Sequence, residues 1–235
     1  MQWFASHQTG DFVWKPQWKN LRSASNSILT HNMPFDLYSI RHTCGPDKNV
    51  CDNFDFMSIP GDMSNFRAEP ITDGNIESKA DLLMEQYERT ASLFTHNVAL
   101  IPLGDDFRYS YEIEFDQQYQ NYKRLLDFIN SNSASRYKNA TISFGTASNY
   151  FQVIKERQKS DFPSLSGDFF PYADIYNAGQ PAYWSGYFTT RPFHKLLSRI
   201  LEQNLRSLEI LFTLSLNRIG QNNFSRDYDK IIKVS

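Results

Sequence analysis

Asp105 and Asp106 are neighbouring carboxylates that follow the apolar run Val98-Ala99-Leu100-Ile101-Pro102, with Gly104 giving the turn its freedom. A short apolar run without alternation reads as a strand buried on both faces. In parallel α/β sheets and barrels, active sites gather beyond the carboxyl ends of the strands. Two carboxylates in that place can divide the work. One enters a cleft, while the other fixes the loop or raises the first one's pKa by like-charge repulsion. A raised pKa is what a general acid needs near neutral pH. The plainer alternative is that the pair caps the next turn or pairs with Arg108. From spacing alone that alternative stands ahead, because acidic loop residues are common.

A second candidate is the stretch Ser166-Gly167-Asp168-Phe169-Phe170-Pro171-Tyr172-Ala173-Asp174 with Tyr183-Trp184-Ser185-Gly186-Tyr187-Phe188. Rings interleaved with Gly, Ser and Asp suit a sugar-binding wall, where rings stack and short polar groups bond hydroxyls; the alternative is an aromatic cluster that seals the fold. With 19 Phe, 13 Tyr and 4 Trp the chain is 15% aromatic, and a core built on large rings is the commoner reason for that. Tyr38 and His42 form a third candidate within a long loop, although a lone His is more often structural than catalytic. No Ser–His–Asp grouping and no phosphate-cradling glycine loop stands out.

Cys44 and Cys51 are the only cysteines, separated by Gly45-Pro46-Asp47-Lys48-Asn49-Val50. A turn-forming segment of this kind can bring two Cα atoms within disulfide reach. A zinc site would need further ligands; His42 is near, but a fourth is not. Two reduced thiols are the other alternative. The sequons Asn139-Ala140-Thr141 and Asn223-Phe224-Ser225 are independent, weak pointers to a lumenal context and so towards a disulfide.

The elements that position these residues follow from periodicity. Helices are expected over Ser78–His96, Phe115–Ser131 and Thr146–Gln158, with strands at Val98–Pro102 and Thr141–Phe144. Phe12-Val13-Trp14 is expected as a strand or short helix, and His31 to Asp73 as irregular chain. Alternating helices and strands at this spacing imply parallel strands joined by crossover helices, an α/β fold. Arg191 to Gly220 reads as a longer helix, one arm of a helical bundle. In 235 residues, 24 basic side chains face 26 acidic ones. That balance argues against nucleic acid as a partner bound by bulk charge. No apolar run is long enough to span a bilayer, and the first residues lack a signal-peptide pattern.

At several of these residues the sequence resembles a known family. His31-Asn32-Met33-Pro34-Phe35, His42-Thr43-Cys44-Gly45-Pro46-Asp47, Val50-Cys51 and Phe54-Asp55-Phe56 are similar to blocks of the class II α-mannosidases, glycoside hydrolase family 38. So are Leu100-Ile101-Pro102-Leu103-Gly104-Asp105-Asp106-Phe107-Arg108-Tyr109, Leu165-Ser166-Gly167-Asp168-Phe169-Phe170 and Tyr183-Trp184-Ser185-Gly186-Tyr187-Phe188 with Arg191-Pro192. The blocks keep their order along nearly the whole chain, and their form is nearest the Golgi α-mannosidase II branch.

The resemblance implies a zinc-dependent retaining glycosidase that trims α1,3- and α1,6-linked mannose from N-glycans on the lumenal side of the Golgi membrane. It makes Asp106 the general acid/base, Asp105 its support, and Tyr38, His42 and Trp184 substrate-binding residues. It also implies part of a parallel (β/α) barrel over residues 1–188, followed over 189–235 by the first helix of a helical bundle.

The family's nucleophile and zinc ligands have no counterpart here. The five histidines, His7, His31, His42, His96 and His194, all stand in other contexts. The chain is therefore expected to be an internal piece of a larger enzyme. Alone it would hold no metal and be inactive, and only a missing N-terminal anchor would tie it to a membrane. Ser39 replaces an Asp that contacts sugar in the family, Asp36 replaces a Tyr, and Tyr176–Ala182 is an insertion. These departures admit a second reading, a catalytically dead glycan-binding paralogue. Asp52 replaces a third Cys whose partner is also absent, which leaves Cys44–Cys51 as the bridge the resemblance implies.

Overall fold

A computed structural model describes residues 2–16, 27–35, 38–57, 68–158, 161–167, 172–174 and 182–219. Asp36, Asp168 to Pro171, most of the 176–182 insertion and Asn223 lie outside them. The chain divides into two compact units, residues 1–169 and 170–235.

The first unit begins with α1 (Gln2–His7), β1 (Asp11–Lys15) and β2 (Ile28–His31). Short helices follow, α2 (Ile40–Thr43) and α3 (Lys48–Cys51), with a 3-10 turn at Asp52–Phe54. The long helices are α4 (Ile76–Ala91) and α5 (Glu112–Ser131); then come α6 (Ser133–Arg136), α7 (Ala147–Arg157) and β3 (Ser164–Ser166). The sheet order is β2-β1-β3, with β1 antiparallel to β2 and parallel to β3. The parallel pair, joined across many helical residues, is the α/β signature.

The helices expected over Phe115–Ser131 and Thr146–Gln158 form close to those bounds, whereas the one expected over Ser78–His96 runs from Ile76 to Ala91 and stops short of His96. In α5 the buried positions are Glu114, Gln118, Tyr122, Leu125, Leu126 and Ile129, spaced three or four apart as one helical face requires. That face meets Leu83 and Ala80 of α4 in a core shared with Phe54, Phe56, Ile71 and Tyr137. The start of α7 is set by Thr146, whose Oγ1 accepts the Asn149 N–H at 3.3 Å while Asn149 Oδ1 accepts the Thr146 N–H at 2.9 Å. Cys44 and Cys51 are joined by a disulfide, with Cα atoms 5.5 Å apart, and both are buried in the same core.

Two expected strands do not form. Residues 98–103 are half-buried and carry no strand assignment, and the parallel bridge nearby is made by the next residue, Gly104, with Ser39. Pro102 lacks an N–H for a ladder, and its carbonyl accepts the Thr43 hydroxyl at 2.7 Å. At Thr141–Phe144 a side chain takes the place of a neighbouring strand. The Asn130 carboxamide receives the Ile142 N–H at 3.0 Å and donates to the Ile142 carbonyl at 2.8 Å. The segment expected to be irregular from His31 to Asp73 instead contains α2, α3 and the 3-10 turn, short helices that the apolar period is too brief to reveal.

The second unit holds the two-stranded antiparallel sheet β4 (Ala173–Asp174) and β5 (Ala182–Tyr183), a 3-10 turn at Gly186–Phe188, and α8 (Pro192–Ile219). The 28-residue α8 matches the long helix read from the sequence.

Candidate active site

The exposed turn after residue 103 carries Asp105 and Asp106. Asp105 Oδ1 accepts the backbone N–H of Asp106 at 2.7 Å, so Asp105 shapes the turn that presents its neighbour. Phe107 and Tyr109 both have positive φ, 56° and 64°, and neither is glycine. Each such residue costs about 1–2 kcal/mol, so surrounding contacts must impose the conformation. Those contacts come from Arg108, between them, and from the Tyr109 hydroxyl, which donates to the Leu103 carbonyl at 2.9 Å.

Arg108 does not pair with the turn's own carboxylates. Its side chain is buried and bonds Asp55 Oδ1, while its Nε donates to Glu114 Oε1 at 3.0 Å. Glu114 Oε2 in turn accepts the backbone N–H groups of Ser110 at 2.9 Å and Tyr111 at 3.3 Å. Burial opposes the charge on Arg108, but Asp55 and Glu114 outweigh it and raise the guanidinium pKa above its ordinary value. Asp55 Oδ2 also accepts from Arg41 Nε at 3.1 Å.

Arg41 lies on α2, and the entry to that helix meets the acidic turn directly. The Ile40 N–H donates to the Gly104 carbonyl at 2.9 Å. This places Tyr38 so that its hydroxyl donates to Asp106 Oδ1. Oδ2 of Asp106 makes no hydrogen bond among the described residues. The structure therefore brings Tyr38, Asp105 and Asp106 together. His42, on the same short helix, is half-buried, and its Nδ1 is a buried atom without a hydrogen-bond partner. Ser39 is buried against Gly104 and so faces inward.

Trp184 belongs to the second unit. It is half-exposed, its N–H donates to the Tyr172 carbonyl at 3.2 Å, and its ring meets Tyr172 edge-on at 5.4 Å. Asn139 is exposed in a turn after α6, with φ of 62°.

Sequence reasoning missed Arg41, Asp55 and Glu114, and it offered Arg108 the acidic pair as a partner where the structure gives it Asp55 and Glu114. Glu114 alone carried a local signal, an acidic residue at the third position of a helix that follows a loop. A second buried cluster was also missed. Asp11 Oδ1 bonds His31 Nδ1 and its Oδ2 bonds His96 Nε2, both at 2.9 Å, and the Tyr150 hydroxyl donates to Oδ2 at 2.7 Å. Burial would raise the Asp11 pKa, yet the bonds from His31, His96 and Tyr150 together lower it to about 2. The carboxylate lies between the imidazoles as their common partner. Among the described residues no three His, Cys, Asp or Glu side chains converge as metal ligands. The donors that converge among the described residues do not make up a zinc site.

Residues 1–175 match the N-terminal domain of the glycosyl hydrolases family 38. The chain belongs to glycosyl hydrolase family 38. This family-38 chain is 50% identical over 222 residues, 94% of its length, to an alpha-mannosidase 2 of Spodoptera frugiperda. It is 44% identical over 226 residues, 92% of its length, to the alpha-mannosidase 2 of Homo sapiens. It is 38% identical over 232 residues, 90% of its length, to that of Arabidopsis thaliana. In all three cases it spans 19% of the relative's own length. No helix among its described residues is long and apolar enough to cross a membrane.

Proposed function

We propose that this chain supplies the acid/base half of the catalytic centre of a retaining α-mannosidase acting on α1,3- and α1,6-linked mannose of N-glycans. The observation that carries the reading is the Tyr38–Asp106 contact within a family-38 chain. Tyr38 occupies Oδ1 of Asp106, so Oδ2 is left to carry the proton toward the glycosidic oxygen. In a retaining reaction a second carboxylate, about 5–5.5 Å away, attacks the anomeric carbon while the first protonates the departing oxygen. The protonated Asp106 would hand its proton over as the C–O bond breaks. It would then take a proton from the water that cleaves the glycosyl-enzyme.

In this reading the attacking carboxylate and the ligands of the family's zinc come from polypeptide outside these residues. The piece alone would therefore be inactive. The exposed Tyr38 and the half-buried His42 would serve the sugar, and the family resemblance alone assigns Trp184 of the second unit a sugar-binding role. The disulfide and the exposed sequon at Asn139 suit a Golgi-lumenal protein. The barrel and bundle, divided near residue 188, belong to the same reading.

The test is an Asp106→Asn variant of the full-length enzyme, assayed on a high-mannose N-glycan. Retention of wild-type turnover would defeat the assignment. One observation favours a second reading, a glycan-binding paralogue without turnover: Ser39 is buried where the family has a sugar-contacting Asp. Binding of mannose oligosaccharide by the wild-type full-length protein, with no product formed, would select that reading.

A further inference from the structure

We infer that Asp55 is a positioning residue for the acid/base carboxylate, gripped by Arg41 on one oxygen and Arg108 on the other so that the Tyr38 segment and the Asp106 turn stay in register. The inference rests on the reading of Asp106 as acid/base. Asp55 is buried, 5% exposed, and touches neither Tyr38 nor Asp106. It acts on both through the two arginines. Arg41 belongs to α2, whose first N–H is bonded to Gly104 and whose entry carries Tyr38. Arg108 sits between Phe107 and Tyr109, the two residues with left-handed backbone, and its buried side chain anchors that stretch to Asp55.

The charges explain why this pair of links needs a carboxylate. Two guanidinium groups converge on Asp55, and Glu114 neutralises only Arg108. With an amide at position 55, the two cations face each other across a partly dry space, and the paired geometry is no longer favoured. Asp52, at 3.9 Å, is a more distant carboxylate beside Arg41. The Asp106 turn is otherwise exposed, so its aim relative to Tyr38 depends on this inner clamp. A proton donor displaced by about an ångström loses much of its rate advantage.

The experiment uses the full-length enzyme and compares kcat/KM on two mannosides. One has an alkyl or sugar leaving group that must be protonated, and the other a dinitrophenyl group that departs unaided. Asp55→Asn is expected to lower kcat/KM on the first at least about tenfold more than on the second, a partial loss of the 10²–10⁴ typical of general acids. Equal loss on both, or no loss, overturns the inference. Asp106→Asn is measured beside it. If Asp106→Asn shows no leaving-group dependence, the reading of Asp106 itself falls. If it shows one and Asp55→Asn does not, only the role of Asp55 falls. Should circular dichroism show Asp55→Asn unfolded, Arg41→Gln decides by the same ratio, since Arg41 is 27% exposed and its loss leaves Asp55 paired with Arg108.

Discussion

At the scale of single residues, the proposed function divides three tasks among Tyr38, Asp105 and Asp106. In the proposed reading Asp106 would hold the transferable proton; Asp105 bonds the backbone that presents it, and Tyr38 bonds the Asp106 oxygen that transfer would not use. Asp106→Asn in the full-length enzyme should lower kcat/KM on an unactivated mannoside by about 10²–10⁴. Asp105→Asn should be milder, because an amide oxygen can still accept the Asp106 N–H; steady-state kinetics of the two variants checks the order. Tyr38→Phe removes a hydrogen bond to a carboxylate and should cost about tenfold in kcat/KM on the same mannoside. An unchanged Tyr38→Phe enzyme would show that the contact has no part in turnover.

At the scale of elements, two devices tie the first unit together. The first is the Cys44–Cys51 bridge, which closes the short loop between α2 and α3 inside the core. Closing a loop of this size is worth about 2–3 kcal/mol by chain entropy. The double Cys44→Ser, Cys51→Ser variant should lose that much in denaturant unfolding. The second is Asp11, which ties β1 to His31 of β2, to His96 and to Tyr150 of α7. Its folded pKa lies near 2, below the ordinary 3.8, so its contribution is fully present above about pH 4 and fades as the pH falls toward 2. The shift corresponds to about 2 kcal/mol. Asp11→Asn should flatten the acid limb of the stability–pH curve, followed by urea unfolding between pH 2 and 5.

At the scale of the whole molecule, the two units differ in how they bury apolar surface. The first has a closed core between α4 and α5. In the second, α8 exposes Leu197, Ile200, Leu201, Leu208 and Leu211 along one helix. A stripe of that size on a lone chain favours self-association. The 27.4 kDa chain is expected to sediment as oligomers at micromolar concentration, and Leu201→Glu with Leu208→Glu should shift it toward monomer. A compact wild-type monomer by analytical ultracentrifugation would contradict this.

Local order determined much of what could be read without coordinates. The periods of α4, α5, α7 and α8, the Gly104-Asp105-Asp106 turn and the reach of the Cys44–Cys51 loop all depend on residues a few positions apart. The apolar runs at 98–102 and 141–144 misled because a strand needs a partner. Backbone groups of Ile142 found a side chain, Asn130, and Pro102 has no donor to give. Likewise nothing local pairs Asp55 with Arg108, 53 positions along the chain, or Asp11 with Tyr150, 139 along. Those contacts exist only because α2, α5 and the sheet pack as they do. Charges removed from water must find partners wherever packing places them, and that choice is made by the tertiary structure.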